Sequence, residues 1–99
     1  MIRHIVMFKF KEENKRENVL KTKEMLDHLP EKIDLIVRSE THINNNVSDE
    51  RNYDLLLISD FKTLEDLHNY IVHPDHKAVG AFMRPLRESR ACTDYDLGE

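Results

Sequence analysis

Cysteine is nearly absent from this chain: of 99 residues, only Cys92 is one. An internal disulfide is thereby excluded, and the composition fits a reducing compartment. No apolar run is long enough to cross a bilayer. Arg3, His4 and Lys9 interrupt the apolar N-terminal stretch, so no signal peptide is expected. An excess of positive charge is also lacking. Fifteen Lys and Arg stand against nineteen Asp and Glu, a net charge of −4. That balance excludes the basic footprint of a nucleic-acid binder and the polybasic patch of a membrane-surface protein. There is no tryptophan, and aromatics make up 7% of the chain. Repeats, low-complexity tracts and linkers are missing too. One soluble, cytoplasmic domain over residues 1–99 is the expectation, with a core too modest to leave an apolar sheet face bare.

What is present is periodicity. From Ile2 to Lys11, the residues Ile2, His4, Val6, Phe8 and Phe10 share one face of a predicted strand. Ile5 and Met7 sit at the middle of the other face. Asn14 followed by Glu17 predicts a helix start. Val19, Thr22, Leu26 and Leu29 then recur at helical steps, and Pro30 is expected to end the helix. Ile33–Ile43 predicts a second strand, and the polar stretch from Asn44 to Glu50 a connection. Tyr53–Phe61 predicts a third strand whose centre, Leu55-Leu56-Leu57-Ile58, is apolar on both faces, so that both faces need cover. Thr63 with Asp66 marks the next helix start, with Leu64, Leu67, Ile71 and Tyr70 on its inner side. A second helical piece carries Val79, Phe82, Met83 and Leu86, with Pro85 near its end. Ser89–Asp96 predicts a last strand.

The order is β-α-β-β-α-β, an α+β ferredoxin-like arrangement with a four-stranded antiparallel sheet and both helical segments on one side. The other side keeps about half of the apolar residues of the first and third strands. A second copy packed sheet to sheet would cover it, forming an eight-stranded barrel, so a homodimer is expected.

Between the last two helical pieces runs Leu67 to Val79, which holds His68, His73 and His76 with Tyr70 and Pro74. Pro74 disfavours helix at His73, and Asp75 is expected to cap the second helical piece. His76 then lies near the positive end of a helix, which favours its neutral, basic form. It reads equally as a proton acceptor or as a packed residue of the corner. Tyr70 reads as a hydrogen-bond donor to a developing enolate or as a core tyrosine. His73 suits the helix end. His4, alone on an apolar face, is a satisfied buried histidine or a pocket residue, and Asp54 is a partner for it. His73, Asp75 and His76 match no zinc spacing, so neither metal nor cofactor is expected. Cys92 reads as an inert core thiol.

Met1 to Lys11, Tyr70-Ile71-Val72-His73-Pro74-Asp75-His76 and Met83-Arg84-Pro85-Leu86 resemble the stress-responsive A/B barrel (Dabb) family, and Ser89 to Tyr95 sits where that family has its last strand. The resemblance spans nearly the whole chain and implies a dimeric α+β barrel. An enzymatic member, a plant polyketide cyclase, closes its product by an aldol step without cofactor or metal. By that resemblance His76 and Tyr70 are the catalytic pair, and His4, Asp54 and His73 border the ligand. Asp54 stands where the cyclase has a histidine, and the region of Met25 and Leu26 lacks its pocket tyrosine. The implied function is a homodimeric binder of small apolar or aromatic molecules, acting as a cofactor-independent lyase or cyclase. A non-enzymatic stress or assembly protein and a cofactor-free monooxygenase remain as alternatives. The monooxygenase is disfavoured by the scarcity of aromatics.

Overall fold

The computed structural model describes residues 1–45, 49 and 51–98. Its elements are β1 (Ile2–Phe10), α1 (Lys15–Lys32), β2 (Ile36–Ile43), β3 (Leu55–Phe61), α2 (Leu64–Ile71), α3 (Pro74–Met83) and β4 (Arg87–Asp96). The strands form one antiparallel sheet in the order β2-β3-β1-β4, which is the ferredoxin-like arrangement. Within the expected polar connection, Asn46, Val47, Ser48 and Glu50 lie outside the described residues.

Alternation along β1 sets the layers. Its even residues His4, Val6, Phe8 and Phe10 are buried, while Met7 on the odd side is 38% exposed. β3 is in register with it, Val6 opposite Leu57 and Ile5 opposite Ile58. Val6, Phe8, Phe10, Leu55, Leu57 and Phe61 therefore face the helices and join Val19, Leu26, Leu29, Leu67, Tyr70, Val79 and Met83 in one core. Ile5, Met7, Leu56 and Ile58 form the second apolar side, with no helix over it. α1 packs on β2 and β1, α2 on β1 and β3, and α3 against α1 and α2, and the residues of edge strand β4 from Arg90 onward are largely exposed on both faces.

Several boundaries differ from the sequence expectation, each for a local reason. Pro30 does not end α1, which runs on to Lys32. A proline in the last turn forfeits only its own N–H bond, and the Ile33 N–H still closes the helix on the Leu29 carbonyl at 2.9 Å. Asn14 precedes α1 in the left-handed region, φ 53°, without a side-chain cap. β2 starts at Ile36, because Ile33 is consumed as the buried C-cap of α1. Thr63 caps α2 as expected, its Oγ1 accepting from the Asp66 N–H at 3.1 Å. The inner face of α2 is Leu67 and Tyr70 alone, with Leu64 and Ile71 exposed. α3 is capped by His73 and not by Asp75: the His73 Nδ1 accepts from the Asp75 N–H at 3.1 Å. Pro74 thus falls at the first helical position, where a missing N–H costs nothing. α3 stops at Met83, so Leu86 and Pro85 lie beyond it.

On the helix-free side, one end is charged. Asp60 accepts two bonds from Arg3, at 2.8 and 2.9 Å, and Arg38 stands 3.8 Å away. These hydrogen bonds from Arg3 hold the Asp60 carboxyl below the usual carboxylate range against the cost of its burial. A lowered native pKa stabilises the fold above the unfolded pKa, and that contribution is lost as pH falls through the native value. Arg3 is partly exposed and regains water if its partner is lost, so the cost is that of charged hydrogen bonds and not of a stranded buried ion. Asp60→Asn is expected to destabilise the protein by about 2 kcal/mol at neutral pH. Chemical denaturation should show the gap between wild type and variant closing as the solution is acidified below pH ~4.

Candidate functional site

β1 carries His4 on its helix side, 3% exposed. Above it α2 presents Tyr70 at the end of its buried stripe, and the α2–α3 corner returns the chain so that His76, in the first turn of α3, meets the same ring. Tyr70 is 1% exposed. Its ring centroid lies 4.8 Å from Phe61, 6.2 Å from His4 and 4.5 Å from His76. His4, Tyr70 and His76 are thus brought together as a row of three rings, from the sheet to the helix corner.

The corner also fixes the proton on His76. Its Nδ1 lies 2.9 Å from the Ile71 carbonyl oxygen. A carbonyl only accepts, so Nδ1 carries the hydrogen and, in the neutral ring, the lone pair sits on Nε2. Burial lowers the His76 pKa. The Ile71 bond works against this, while the charges of His4, Arg90 and His73 add to the lowering. The neutral form is therefore the prevalent one near pH 7. Burial raises the Tyr70 pKa well above the ordinary phenol value, so its hydroxyl keeps its proton. Among the described residues, no buried side-chain polar atom is left unpaired. None of them takes a hydrogen bond from the Tyr70 hydroxyl, so the slight exposure that Tyr70 retains is at its oxygen.

Two expected members do not join the row. Asp54 does not pair with His4. It lies at the far end of β1, where its Oδ2 accepts from the Phe10 N–H at 2.8 Å and stands 3.5 Å from the Lys15 Nζ. The Asp54 N–H donates to the Phe8 carbonyl, while His4 is opposite Ser59. Five residues along the strand, about 17 Å, separate Asp54 from Ser59, the residue opposite His4. Asp54 ties β1 to the start of α1 and lines a cleft of about 660 Å³ together with Lys15, Arg16 and Leu20. His73, for its part, spends Nδ1 on capping α3.

The carboxylate that does reach His4 is Asp94. His4 Nδ1 donates to Asp94 Oδ1 across the β1–β4 pair at 2.5 Å, and Cys92 Sγ is 3.6 Å from the same nitrogen. Cys92 is exposed on β4, not packed in the core. Burial together with the neighbouring Asp94 raises its thiol pKa. The sequence carried one sign of this pair. Cys92 and Asp94 are two apart and so share a strand face, but which residue they face depends on a register spanning the whole chain. Along this edge Arg90, Cys92 and Asp94 are exposed. Two further clefts, of about 420 and 200 Å³, lie elsewhere: at Met7 and Leu56 on the helix-free side, and between α1 and α3.

Residues 2–97 match the sequence profile of the stress responsive A/B barrel domain, Dabb. No curated protein matches the chain with significance. Among solved structures, the chain is similar to a dimeric protein of unknown function with a ferredoxin-like fold from Bacteroides fragilis. Identity is 35%, the TM-score is 0.88, and 97% of this chain and 95% of that chain are covered. A dimeric ferredoxin-like protein of unknown function from Thermobifida fusca is 25% identical with a TM-score of 0.85, over 97% of this chain and 90% of that one. A hydroxynitrile lyase from Passiflora edulis, 15% identical, shares the fold with a TM-score of 0.85 over 99% of this chain and 94% of that one. A profile match from the first strand to the last, on a chain with this sheet order, places the protein in the stress responsive A/B barrel (Dabb) family.

Proposed function

We propose that this Dabb protein is a homodimer that binds small apolar or aromatic carbonyl compounds and moves a proton at the carbon beside the carbonyl, without a cofactor. The observation that carries this reading is the bond from His76 Nδ1–H to the Ile71 carbonyl, which leaves Nε2 as a base. His76 Nε2 takes the proton from carbon. The Tyr70 hydroxyl, still protonated, donates to the enolate oxygen that forms. The enolate then attacks a second carbonyl or expels a leaving group, which is cyclase or lyase chemistry. Asp94 holds the His4 ring beside Tyr70 and so positions the row. The dimer is supported by the apolar strip Ile5, Met7, Leu56 and Ile58 on the helix-free side, and by the dimeric protein to which the chain is 35% identical.

A non-enzymatic reading is favoured by one observation, the near-complete burial of Tyr70, which is what a core residue would show. The two separate on a carbon-acid probe. Proton–deuterium exchange into benzoylacetone, followed by NMR, is expected to be accelerated by the wild type and to fall about 10²-fold or more in His76→Ala. Tyr70→Phe should lose a similar factor, about 10²-fold, with little loss of stability because the ring is kept. Exchange no faster than in buffer, with His76→Ala only less stable, would leave the non-enzymatic reading standing.

The pH profile is set by the sign of the shift. The base is lost on protonation, and the His76 pKa is lowered, so the acid limb of the exchange rate should lie below the ordinary histidine value of about 6.5. An acid limb above that value would remove His76 from the role.

Ile58→Asp places a charge opposite Ile5 in the apolar strip. Light scattering is expected to give a dimer for the wild type and a folded monomer for this variant, with the far-ultraviolet circular dichroism unchanged.

A further inference from the structure

We propose that His4, Cys92 and Asp94 form a site for a thiophilic divalent cation, of the zinc or cobalt class, at the β1–β4 edge. Three donors of different type converge there: Nδ1 to Oδ1 is 2.5 Å, Nδ1 to Sγ is 3.6 Å and Sγ to Oδ1 is 3.8 Å. Among the described residues this is the group of His, Cys and acidic side chains whose ligand atoms all lie within 4.8 Å of one another. The register produces it, since His4 is opposite Asp94 and Val6 opposite Cys92, and Cys92 and Asp94 point the same way along β4.

Zinc bonded to N, S and O at about 2.0–2.3 Å in a tetrahedron sets its ligand atoms roughly 3.4–3.6 Å apart. Both separations from sulfur are already near that range. Only the Nδ1–Oδ1 pair must widen, by about 1 Å, as the cation takes the place of the proton between them. The Asp94 side chain, 39% exposed, is free to make that movement, while His4 is held by its burial and by the Phe61 and Tyr70 rings. The open edge supplies a path for the ion and leaves a fourth position to water or a ligand. Arg90, on the same face of β4, is a neighbouring cation that opposes binding.

The same geometry rules against a nucleophilic Cys-His-Asp triad. Such a triad needs the acid on one ring nitrogen and the thiol on the other. Here both meet Nδ1, an arrangement that suits shared ligation. The proton balance is simple: the His4 hydrogen passes from Nδ1 to Nε2, the Cys92 thiol gives its proton to solvent, and the thiolate and carboxylate neutralise the dication. One proton is released per ion. The site shares His4 and Asp94 with the row but uses neither His76 nor the Tyr70 hydroxyl, so cation binding is tested separately from proton transfer.

Cobalt(II) titration of the full-length, reduced protein tests it. The expected result is stoichiometric binding with a thiolate-to-cobalt charge-transfer band and the visible bands of a four-coordinate ion, both removed by added zinc. Cys92→Ser should abolish the charge-transfer band and weaken cobalt binding by about tenfold or more, and Asp94→Asn should weaken it similarly. His76→Ala should leave the titration unchanged. In the wild type, one equivalent of zinc should slow alkylation of Cys92 by iodoacetamide about tenfold or more, a readout that needs no variant. Cobalt bound without a sulfur band, equal affinity in a folded Cys92→Ser protein, or alkylation unaffected by zinc would overturn the proposal.

Discussion

The two-residue alternation of β1, locked between two neighbours, arranges everything else in the molecule. As a central strand it pairs with β3 on one side and β4 on the other, so each of its residues has its face fixed twice. The even residues enter the core, and the odd residues form the helix-free side. A slip of one residue would expose Val6, Phe8 and Phe10 and bury Arg3 and Lys9. Burying that apolar set against the helices is worth far more than any one polar contact in the molecule, so the polar groups take the places the register leaves them. His4 is the one polar side chain on the buried face of β1, and Asp94 satisfies it.

Chemistry depends on where the helix layer stops. α1 covers the β2 side and α2 covers β1 and β3, with α3 packed against both helices, while β4 is left as an edge. The buried rings therefore end at a polar rim. At one end of the row the α2–α3 corner orients His76 through a backbone carbonyl; at the other, β4 supplies Asp94 and Cys92 to His4. The proposed proton transfer and the proposed cation site use opposite ends of this row and meet at the His4–Tyr70 contact. An ion on His4 would be felt at Tyr70 and His76 through packing and charge, with no shared hydrogen bond.

Much of this is legible in the residues. Alternation from Ile2 to Phe10 and the doubly apolar centre of β3 imply the sheet with its two water-averse sides. The Tyr70 to His76 run places the tyrosine and histidine at a corner, where they touch. The structure departs from the pattern wherever a local signal competes with a neighbour's needs. Pro30 is a strong stop signal, yet in a last turn it forfeits too little to stop the helix. Asp75 is a better cap residue than histidine by frequency, yet the chain leaving α2 puts the His73 imidazole over the Asp75 N–H. The sequence pattern puts Asp54 and His4 on neighbouring strands, which suggests a pair, but Asp54 falls just before β3. Residues on paired strands meet only where the register lets them, however, and these are about 17 Å apart along the sheet.

Short windows of the chain are enough to tell which faces are apolar, in what order the elements come, and that His76 and Tyr70 share one bend. Period, capping and the stiffness of proline act over a few residues, so a few residues reveal them. The company of Asp94 and Cys92 beside His4 is a different matter, settled by the folded arrangement alone. That contact closes a loop of about ninety residues, and its register is set by the collective burial of β1 and β3, which no local pattern around Cys92 or Asp94 encodes.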